Sequence, residues 1–479
     1  MPHNEYTATI GLEIHAELKT STKMFCDSKN DPDEKRPNSN ICPVCMGYPG
    51  TLPVINKKAV SHVIRMGVAV DGTIANYTEF DRKNYFYPDI PKGYQISQYK
   101  YPLVSGGKLA DVAITRIHLE EDTAKSTHQG EQSLVDFNRA GVPLMELVTE
   151  PVIHTAEDAS RFAKELQLLL QTLEASEANM EKGEMRVEAN ISVSKTETFG
   201  TKVEVKNLNS FRAVEKAISF EIERHIKLLE SGEKIAQETR GWDETKEVTF
   251  LQRAKEDSHD YRYFPDPDLP KIWISKIPEF DFDTIKTRLP ELPWNKRERY
   301  IQALGLKAED AEVLVRQPVW GAYFEAIVKN QSDNRFIQIT ANYLTSDAIG
   351  LVKGDTGVLS WQEFPLSKKI SPEYFEMLVQ MILCGDLSSR AAKDILAMMY
   401  LGEGAPQELA KKHNLIQKSD EGELMITAQS IIDANPNIVT EYKSGKISVI
   451  QFFVGQGMKA TKGAANPEVL KSIFEKLLL

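Results

Sequence analysis

The sequence predicts an α+β protein in which a strand-rich domain with an antiparallel sheet is followed by helical domains. Three observations support this class. Up to about residue 290, short alternating segments are broken by glycine, proline and asparagine, as in a sheet with many turns. Two amphipathic helices interrupt those segments. From Lys296 onward, the pattern of apolar residues becomes almost wholly helical.

The two helices within the strand-rich region can be located from their apolar spacing. The first is expected over Ala156–Ala175, with Thr155 and Asp158 forming its cap. The second is expected over Phe211–Leu229, where one face carries Val214, Ile218, Ile222 and Ile226. Each helix therefore has one apolar face that we expect to be buried.

Proline-rich and glycine-containing stretches predict the domain boundaries. The segments SHDYRYFPDPDLP and RLPELPW are typical of the exit from a folded domain. A glycine-containing break at Leu401–Pro406 separates the last helical piece, which ends at Leu479. We therefore expect a strand-rich domain over 1–292, a helical domain over 293–405 and a helical tail over 406–479.

Composition excludes several classes of protein. The 479 residues are 41% hydrophobic and 27% charged, which is an ordinary globular balance. No apolar run approaches the ~18 residues that cross a bilayer, and the start MPHNEYTATI lacks a signal-peptide core. The four cysteines are too few for a disulfide framework, so we expect a cytoplasmic protein with no membrane partner. A net charge of −11 disfavours general coating of nucleic acid, although a local basic patch could still hold RNA.

The first strand has one apolar and one chemically distinctive face. Every second residue from Ala8 to Leu18 is apolar, and the opposite face carries Glu13, His15 and Glu17. Side chains two apart on a strand lie ~6.5–7 Å from one another at the backbone, so Glu13 and His15 can converge on one cation. The alternative is the solvated outer face of an ordinary amphipathic strand.

Further segments repeat this mixture of charges on one face. The run His118–Asp122 crowds three carboxylates together, and a strand over Leu144–Glu150 would place Glu146 and Glu150 on one face. In Met185–Val193 apolar residues alternate with polar ones, and Lys202, Glu204 and Lys206 alternate with valines. Carboxylates with lysines nearby suit Mg²⁺ and a polyphosphate, but any half-exposed antiparallel sheet also has a polar face.

Several familiar catalytic motifs are missing from the sequence. It contains no G-x-x-x-x-G-K-[ST] loop, no G-x-G-x-x-G fingerprint and no G-x-S-x-G elbow. If ATP binds, it binds outside the common phosphate loops. Because no cysteine lies in a nucleophile motif, we expect no built-in glutaminase of the cysteine type.

Three cysteines form a candidate metal knuckle. Cys42-Pro-Val-Cys45 is a C-x-x-C pair, and Cys26 lies sixteen residues upstream in a loop rich in asparagine, aspartate and proline. Structural zinc sites have four ligands, so Asp27 or water would have to supply the fourth. Ordinary reduced thiols are the alternative interpretation.

Six long segments carry a family resemblance that spans essentially the whole chain. They resemble the B-type subunit of the aspartyl/glutamyl-tRNA amidotransferases and read IGLEIHAELKT, CPVCMGYPGTLPVIN, FDRKNYFYPDIPKGYQISQY, HLEEDTAKS, NRAGVPLMELVTEP and VEVKNLNSFRAVEKAI. QETRGWDE and DYRYFPDPDLP continue the likeness. GQGMKATKGAANPEVL is similar to the YqeY-type helical tail of the same family. The resemblance implies a cradle-like catalytic domain over 1–292.

The resemblance also implies a reaction, ligands and partners. In this family, an ATP-dependent ligase amidates tRNA(Gln) or tRNA(Asn) that has been mischarged with glutamate or aspartate. The B-type chain phosphorylates the side-chain carboxylate, and ammonia from a separate amidase then displaces the phosphate. The implied assembly is a heterotrimer with the A-type amidase subunit and the small C-type subunit, and it uses ATP and Mg²⁺.

Site residues can be carried over where the motifs match. Glu13 and His15 match the metal-binding G-L-E-x-H of the family, and Glu121 in HLEED and Glu150 in VTEP match its further acidic ligands. Glu120 and Asp122 are close alternates. Lys83 and Asn84 in DRKNYFYPD and Lys206 in EVKNLNS are the implied nucleotide or acyl-phosphate contacts, with Arg186 and Glu188 as further catalytic candidates.

The sequence departs from the family at the cysteine loop. Zinc-bearing members have a second cysteine as C-x-C after the first, whereas this chain has Ser28 at the equivalent place. Zinc binding by Cys26, Cys42 and Cys45 is therefore weakened, while the kinase site is untouched. Nothing in the sequence matches the Ser-cis-Ser-Lys arrangement of the family's amidase, so a partner must supply the ammonia.

The tail has a local basic surplus. From Lys446 to Leu479 there are five lysines and two glutamates, and Lys459 and Lys462 flank a small-residue stretch that is typical of a loop between helices. A basic helical module at the end of an acidic chain suits contact with RNA phosphates. The alternative is a solvated pair of helices.

Three hypotheses follow from the sequence. The first is an enzyme subunit for tRNA-linked amidation. The second is a non-catalytic tRNA-binding scaffold whose acidic sheet is structural, and the third is a zinc-ribbon-type adaptor centred on Cys42 and Cys45. A scaffold has no need to gather carboxylates at one point, so the placement of the acidic side chains separates the first hypothesis from the second.

Overall fold

The first strand, β1 (Thr7–Glu17), lies inside a large mixed sheet, and its alternate residues from Ala8 to Ala16 are buried. The computed structural model describes residues 5–254, 261–417, 421–461 and 465–478. The start of the SHDYRYFPDPDLP segment (258–260) and Lys462 lie outside the described residues. The chain divides into two units, 1–292 and 293–479.

The first unit contains the strands. After β1 they are β2 (Thr73–Ile74), β3 (Tyr77–Thr78), β4 (Asp81–Asn84), β5 (Tyr94–Ser97), β6 (Val104–Ser105), β7 (Lys108–Leu109), β8 (Val112–Glu121), β9 (Lys125–Gln129), β10 (Gln132–Asp136), β11 (Pro143–Thr149), β12 (Met185–Ser194), β13 (Val203–Leu208), β14 (Glu238–Asp243), β15 (Val248–Ala254), β16 (Phe264–Pro265) and β17 (Ile272–Trp273). Its helices are α1 (Lys57–Ala69), α2 (Ala156–Thr172), α3 (Phe211–Glu230) and α4 (Phe282–Arg288).

The strands of the large sheet follow the order β15-β14-β13-β12-β1-β11-β8-β5-β4-β16. Neighbours along this path pair antiparallel except β13 and β14, which are parallel. Helix α3 packs on β12, β13 and β15 and against α2, and α1 packs on β8. Because successive side chains on a strand point to opposite faces, the polar residues of β1 and β12 lie on the face opposite to their buried apolar residues.

The two helices predicted within the first unit are present. Thr155 caps α2, its hydroxyl accepting a hydrogen bond from the backbone N–H of Asp158, and Ser210 caps α3 in the same way through Ala213. The observed α2 ends three residues before the predicted end at Ala175. The apolar face of each helix is buried, as predicted.

The second unit is helical. Its helices are α5 (Pro293–Gln302), α6 (Ala308–Arg316), α7 (Pro318–Val328), α8 (Asn334–Asn342), α9 (Ile349–Gly354), α10 (Pro372–Leu383), α11 (Ser389–Tyr400), α12 (Pro406–Lys412), α13 (Glu421–Asp433), α14 (Pro436–Lys443), α15 (Ile450–Ala460) and α16 (Pro467–Leu478). A π-helical segment over Tyr343–Ala348 joins α8 to α9. The predicted α+β class, with strands followed by helices, is confirmed.

Helix α12 belongs with the helices before it in packing, although the predicted boundary at Pro406 would place it in the tail. Leu409 and Ala410 of α12 are buried, and α12 contacts α10 and α11. A separate hydrophobic core begins at Leu424 and is built from α13, α15 and α16. The three-domain division itself stays a prediction.

No helix in the described part of the chain combines the length and the apolar character needed to cross a lipid bilayer.

Candidate functional site

One row of paired residues crosses four neighbouring strands on the polar face of the sheet. His15 on β1 lies opposite Arg186 on β12 and opposite Glu146 on β11. Glu146 in turn lies opposite His118 on β8. Directly opposed residues of antiparallel strands have close side chains, so the register alone gathers these groups. In the next row, Glu13 lies opposite Glu188.

The side chains of these rows converge on Glu146. His15 Nε2 lies 3.4 Å from Glu146 Oε2 and 3.5 Å from Glu120 Oε1. His118 Nε2 lies 3.4 Å from the same oxygen of Glu146. The ligand atoms form two groups that share Glu146, and within each group all atoms lie within 4.8 Å of one another. We call Glu13, His15, His118, Glu120 and Glu146 the acidic centre.

The acidic centre favours positive charge. Burial, together with the charge of Glu146, raises the pKa of Glu13 to about 7. Burial alone would lower the pKa of His15, but its hydrogen bond with Glu146 and the charge of Glu120 raise that pKa to about 9. Three carboxylates share this space with two imidazoles, and Nδ1 of the buried His118 has no hydrogen-bond partner within the described residues. Oxygen donors with an imidazole fit a hard divalent cation such as Mg²⁺.

Lys83 on β4 interacts electrostatically with two carboxylates of the acidic centre. Burial opposes the ammonium form, but the charges of Glu120 and Glu146 raise the pKa of Lys83 above its ordinary value. Its Nζ atom lies 5.0 Å from the ring centroid of Tyr261. The structure thus has a half-buried lysine whose charge interacts with that of the acidic centre, as a phosphate contact would require.

Lys206 and Arg186 lie on the other side of the acidic centre. Lys206 Nζ donates to Glu188 Oε2 at 2.7 Å, and the carboxylates around it, Glu13 included, raise the pKa of Lys206 against the effect of burial. Arg186 donates from its two terminal nitrogens to Asp122 at 2.9 and 3.2 Å. These cations already have carboxylate partners on the polar face.

Three of the predicted site residues have other partners. Glu121 accepts a hydrogen bond from the backbone N–H of Ile96 at 2.9 Å and pairs with Lys92. Glu150 accepts from the hydroxyl of Thr115 at 2.7 Å. The amide of Asn84 donates to the backbone oxygens of Arg82, Tyr261 and Arg262.

The candidate ligand set therefore changes. Neither Glu121 nor Glu150 is in the two ligand groups, which contain Glu120 and Glu146 instead. The reason is strand alternation: on β8, Glu120 shares a face with His118, whereas Glu121 points the other way. A strict period of two, counted from His118, favours Glu120, which the sequence analysis gave only as an alternate, over Glu121. Glu146 and His118 are ligand candidates that the sequence reasoning passed over.

The cysteine loop is a separate cluster. Cys26, Cys42 and Cys45 have their sulfurs within 4.8 Å of one another, and the exposed Asp27 is not in this group. Ser28 Oγ lies 3.8 Å from Cys45 Sγ, and the buried Lys23 Nζ lies 3.9 Å from it. A hydrogen bond from Cys26 lowers the pKa of Cys45 to about 4, and Lys23 acts in the same direction. Three sulfur donors fit an incomplete zinc site, with a hydroxyl at the position of the fourth.

Known proteins resemble this chain along nearly its whole length. Residues 8–277 match the model of the GatB/GatE catalytic domain, and residues 322–478 match that of the GatB domain. The chain is 42% identical to the B-type subunit of the aspartyl/glutamyl-tRNA(Asn/Gln) amidotransferase of Crocosphaera subtropica, over 99% of this chain and 98% of the relative. It is 43% identical to that of Persephonella marina (99% and 100%) and 44% to that of Caldanaerobacter subterraneus (99% and 99%).

Proposed function

This chain belongs to the family of the GatB/GatE catalytic domain, and we propose that it catalyses ATP-dependent amidation of mischarged tRNA as the B-type subunit of an amidotransferase. The proposed substrates are Glu-tRNA(Gln), Asp-tRNA(Asn) or both, and the products are the correctly charged Gln-tRNA(Gln) and Asn-tRNA(Asn). The observation that carries this proposal is the convergence of Glu13, His15, His118, Glu120 and Glu146 on one face of the sheet, with Lys83 beside them.

The chemistry explains why such a centre is needed. An oxygen of the substrate's side-chain carboxylate attacks the γ-phosphorus of ATP, ADP leaves, and an acyl phosphate forms. Ammonia then attacks the carbonyl carbon, phosphate leaves, and one proton is lost. A carboxylate and a polyphosphate are both anions, so their approach requires positive charge that is already in place.

Different residues are proposed to bind the cation, contact the phosphates and position their neighbours. The acidic centre would hold Mg²⁺, which supplies charge for the phosphates when it is bound. Lys83 and Lys206 are the proposed contacts for the nucleotide or acyl phosphate. We propose that Arg186 and Glu188 hold the neighbouring side chains of the polar face in place. Arg186 donates to Asp122, and Glu188 accepts from Lys206. Asn84 is proposed to fix the backbone beside Lys83 through its bonds to Tyr261 and Arg262.

The ammonia must come from elsewhere, because no amidase motif is present in the sequence. A B-type subunit implies a multi-subunit enzyme, and we propose the A-type amidase subunit and the small C-type subunit as its partners. A cytoplasmic location follows from this role and stays a prediction. The basic helical tail is proposed to contact tRNA.

The alternative of a non-catalytic tRNA-binding scaffold is not favoured. A scaffold gains nothing from crowding carboxylates, which disfavour one another's ionised form unless a cation is close. The zinc-ribbon adaptor is also disfavoured, since the three cysteines occupy one loop of a much larger chain that matches the family over 99% of its length.

Trapping the acyl phosphate tests the proposal directly. The assembled enzyme is incubated with Glu-tRNA(Gln), ATP, Mg²⁺ and hydroxylamine, without glutamine. We expect a tRNA-linked γ-glutamyl hydroxamate that requires ATP, and we expect none with His15→Ala. If hydroxamate forms equally well without ATP, or with His15→Ala, the acidic centre does not activate the carboxylate.

A further inference from the structure

Two sequence motifs lie side by side in the sheet, EVKNLNS at β13 and QETRGWDE at β14. The parallel pairing of these strands places Glu204 opposite Thr239, two residues before Lys206. Residues two apart on a strand share a face, so Glu204 and Lys206 both lie on the polar face of the sheet. The second motif thus supplies a neighbour to the side chains around Lys206, which is a proposed phosphate contact.

The carboxylate of Glu204 bridges Thr239 and Lys206. Thr239 Oγ1 donates a hydrogen bond to Glu204 Oε2 at 2.8 Å, and Glu204 Oε1 lies 3.5 Å from Lys206 Nζ. Lys206 Nζ also donates to Glu188 Oε2 at 2.7 Å. Thr239 is buried, whereas the side chain of Lys206 is 36% exposed. Two carboxylates therefore hold an ammonium group on a side chain that a ligand can still reach.

An irregularity in the pairing of β12 with β13 brings Lys206 to Glu188. Where the register of these strands shifts, β12 contributes Glu188 alone and β13 contributes both Lys206 and Asn207. Asn207 has a φ of +62°, in the left-handed region that asparagine enters more readily than most residues other than glycine. Such a β-bulge changes the direction of a side chain, and bulges are common beside active sites.

The opposite face of β14 is anchored to α3. Arg240 Nε lies 3.2 Å from Oε1 of the buried Glu221 on α3. The ring of Trp242 packs edge-on against that of Phe220, with 6.3 Å between the ring centroids. Alternate residues of the second motif thus fasten the strand to the helix, and Thr239, next to Arg240, is presented from a fixed backbone.

We propose that Thr239 and Glu204 are positioning residues that hold the Lys206 ammonium group in place for the phosphates of ATP. A lysine side chain is a flexible stem that would otherwise sample many positions. Ordering it before the ligand arrives lowers the entropy cost of binding. The inference rests on the proposed function, because it assumes that Lys206 contacts the nucleotide. The competing interpretation is that these contacts only fasten β13 to its neighbours.

Binding of an ATP analogue tests the proposal. The assembled amidotransferase is titrated with the non-hydrolysable β,γ-imido analogue of ATP and Mg²⁺ in a calorimeter. For Thr239→Val, which keeps the shape but loses a hydrogen bond to a charged group, we expect the Kd to rise on the order of tenfold. Thr239→Ser keeps the hydroxyl and should bind like the wild type. Thr127→Val, at an exposed threonine of β9, is the matched control and should also leave the Kd unchanged.

Two further variants ask whether the hydroxyl acts through the ammonium group. Glu204→Asp keeps the charge but shortens the side chain, so it should weaken binding as Thr239→Val does. Lys206→Met removes the ammonium group and should itself weaken binding. In the Lys206→Met background Thr239→Val should cause no further loss, because residues that act through one another are not additive.

The outcomes separate the inference from the proposed function. An unchanged Kd in Thr239→Val or in Lys206→Met would overturn the positioning role, even if the wild type amidates tRNA. Equal losses from Thr239→Val in the wild-type and Lys206→Met backgrounds would also overturn it, since the effect would then be structural. If Thr239 and Lys206 are coupled in binding yet the wild type forms no ATP-dependent hydroxamate, the positioning role stands and the proposed function fails.

Discussion

The Nε2 atom of His15 lies 3.4 Å from Oε2 of Glu146, and this contact joins two strands whose residues are 131 positions apart in the chain. The same oxygen of Glu146 lies 3.4 Å from Nε2 of His118 on the next strand. Glu146 is therefore the residue through which the two candidate ligand groups are connected. Its loss should disturb both groups, whereas the loss of Glu13 should disturb one.

The first prediction concerns Glu146. We expect Glu146→Gln to lower the rate of amidation on the order of 100-fold or more, because it removes a charge that both ligand groups share. Glu13→Gln should also lower it strongly. The measurement is conversion of Glu-tRNA(Gln), with glutamine hydrolysis by the amidase partner assayed in parallel and expected to be largely intact.

Two comparisons sharpen this prediction. Added ammonia should not rescue Glu146→Gln, since activation of the carboxylate precedes formation of the amide. Glu150→Gln should cost less than Glu146→Gln, because Glu150 pairs with Thr115 outside the ligand groups. A larger loss from Glu150→Gln would return Glu150 to the ligand set and remove Glu146 from it.

The second prediction concerns the cysteine loop. Wild-type protein should retain less than one equivalent of zinc after dialysis against a chelator, because only three sulfurs are gathered there among the described residues. Ser28→Cys should raise retention towards one equivalent, since Ser28 Oγ already lies 3.8 Å from Cys45 Sγ. Mass spectrometry of metal content provides the measurement, and Ser39→Cys on the same loop is a control that should retain no more zinc than the wild type. Full zinc occupancy in the wild type would contradict the prediction.

Much of this arrangement could be read from local sequence. The period of two in β1 predicted that Glu13 and His15 share a face, and the structure has both in one ligand group. The fold class and the two long helices of the first unit were predicted from periodicity and capping, which are local properties.

The contacts that complete the acidic centre depend on the register between strands that are distant in sequence. That His15 faces Glu146, and Glu146 faces His118, follows from the pairing of β1 with β11 and of β11 with β8. A slip of one residue would place Leu147 at that point instead, and no local pattern distinguishes the two registers. The ring contacts of Tyr85 with Tyr261, and of Tyr263 with Tyr99, likewise join segments that are far apart in sequence.

The third prediction is a pH dependence of local stability at His62. This side chain is 1% exposed in α1, its Nε2 lies 2.9 Å from the backbone oxygen of Lys19, and burial lowers its pKa to about 4. The folded state therefore keeps His62 neutral, whereas the opened state binds a proton near the ordinary pKa of 6.5. The stability that it contributes is complete above pH 6.5 and is lost as the pH falls towards 4, by up to about 3 kcal/mol.

Hydrogen exchange of α1 measures this effect. After correction for intrinsic exchange rates, the free energy of opening should fall between pH 7 and pH 5 in the wild type. His62→Gln keeps a donor for the oxygen of Lys19 but does not titrate, so the fall should be smaller. His128→Gln, at an exposed histidine of β9, should behave like the wild type. An equal fall in His62→Gln and in the wild type would show that another group is responsible.

The fourth prediction concerns the tail and where it can be removed. Leu409 and Ala410 of α12 are buried, and the backbone N–H of Gln417 donates to the backbone oxygen of Asp386 at 2.7 Å, so α12 completes the packing of α10 and α11. A chain that ends at Gln417 should therefore keep these helices folded, while one that ends at Ala405 should lower the temperature at which they melt. Both should leave the first unit able to bind ATP with Mg²⁺.

Affinity for tRNA across a salt series then tests what the tail binds. Lys446 pairs with Glu441, whereas Lys459, Lys471 and Lys476 have no salt bridge within the described residues and are available for phosphates. Each phosphate contact that the truncation at Gln417 removes should lower the slope of log affinity against log salt by roughly one. If the series of the truncated and full-length chains superimpose, the tail does not hold tRNA and its lysines are a solvated face. If the shorter truncation loses ATP binding as well, the helical unit supports the sheet, and the boundary expected at residue 292 does not separate two independent folds.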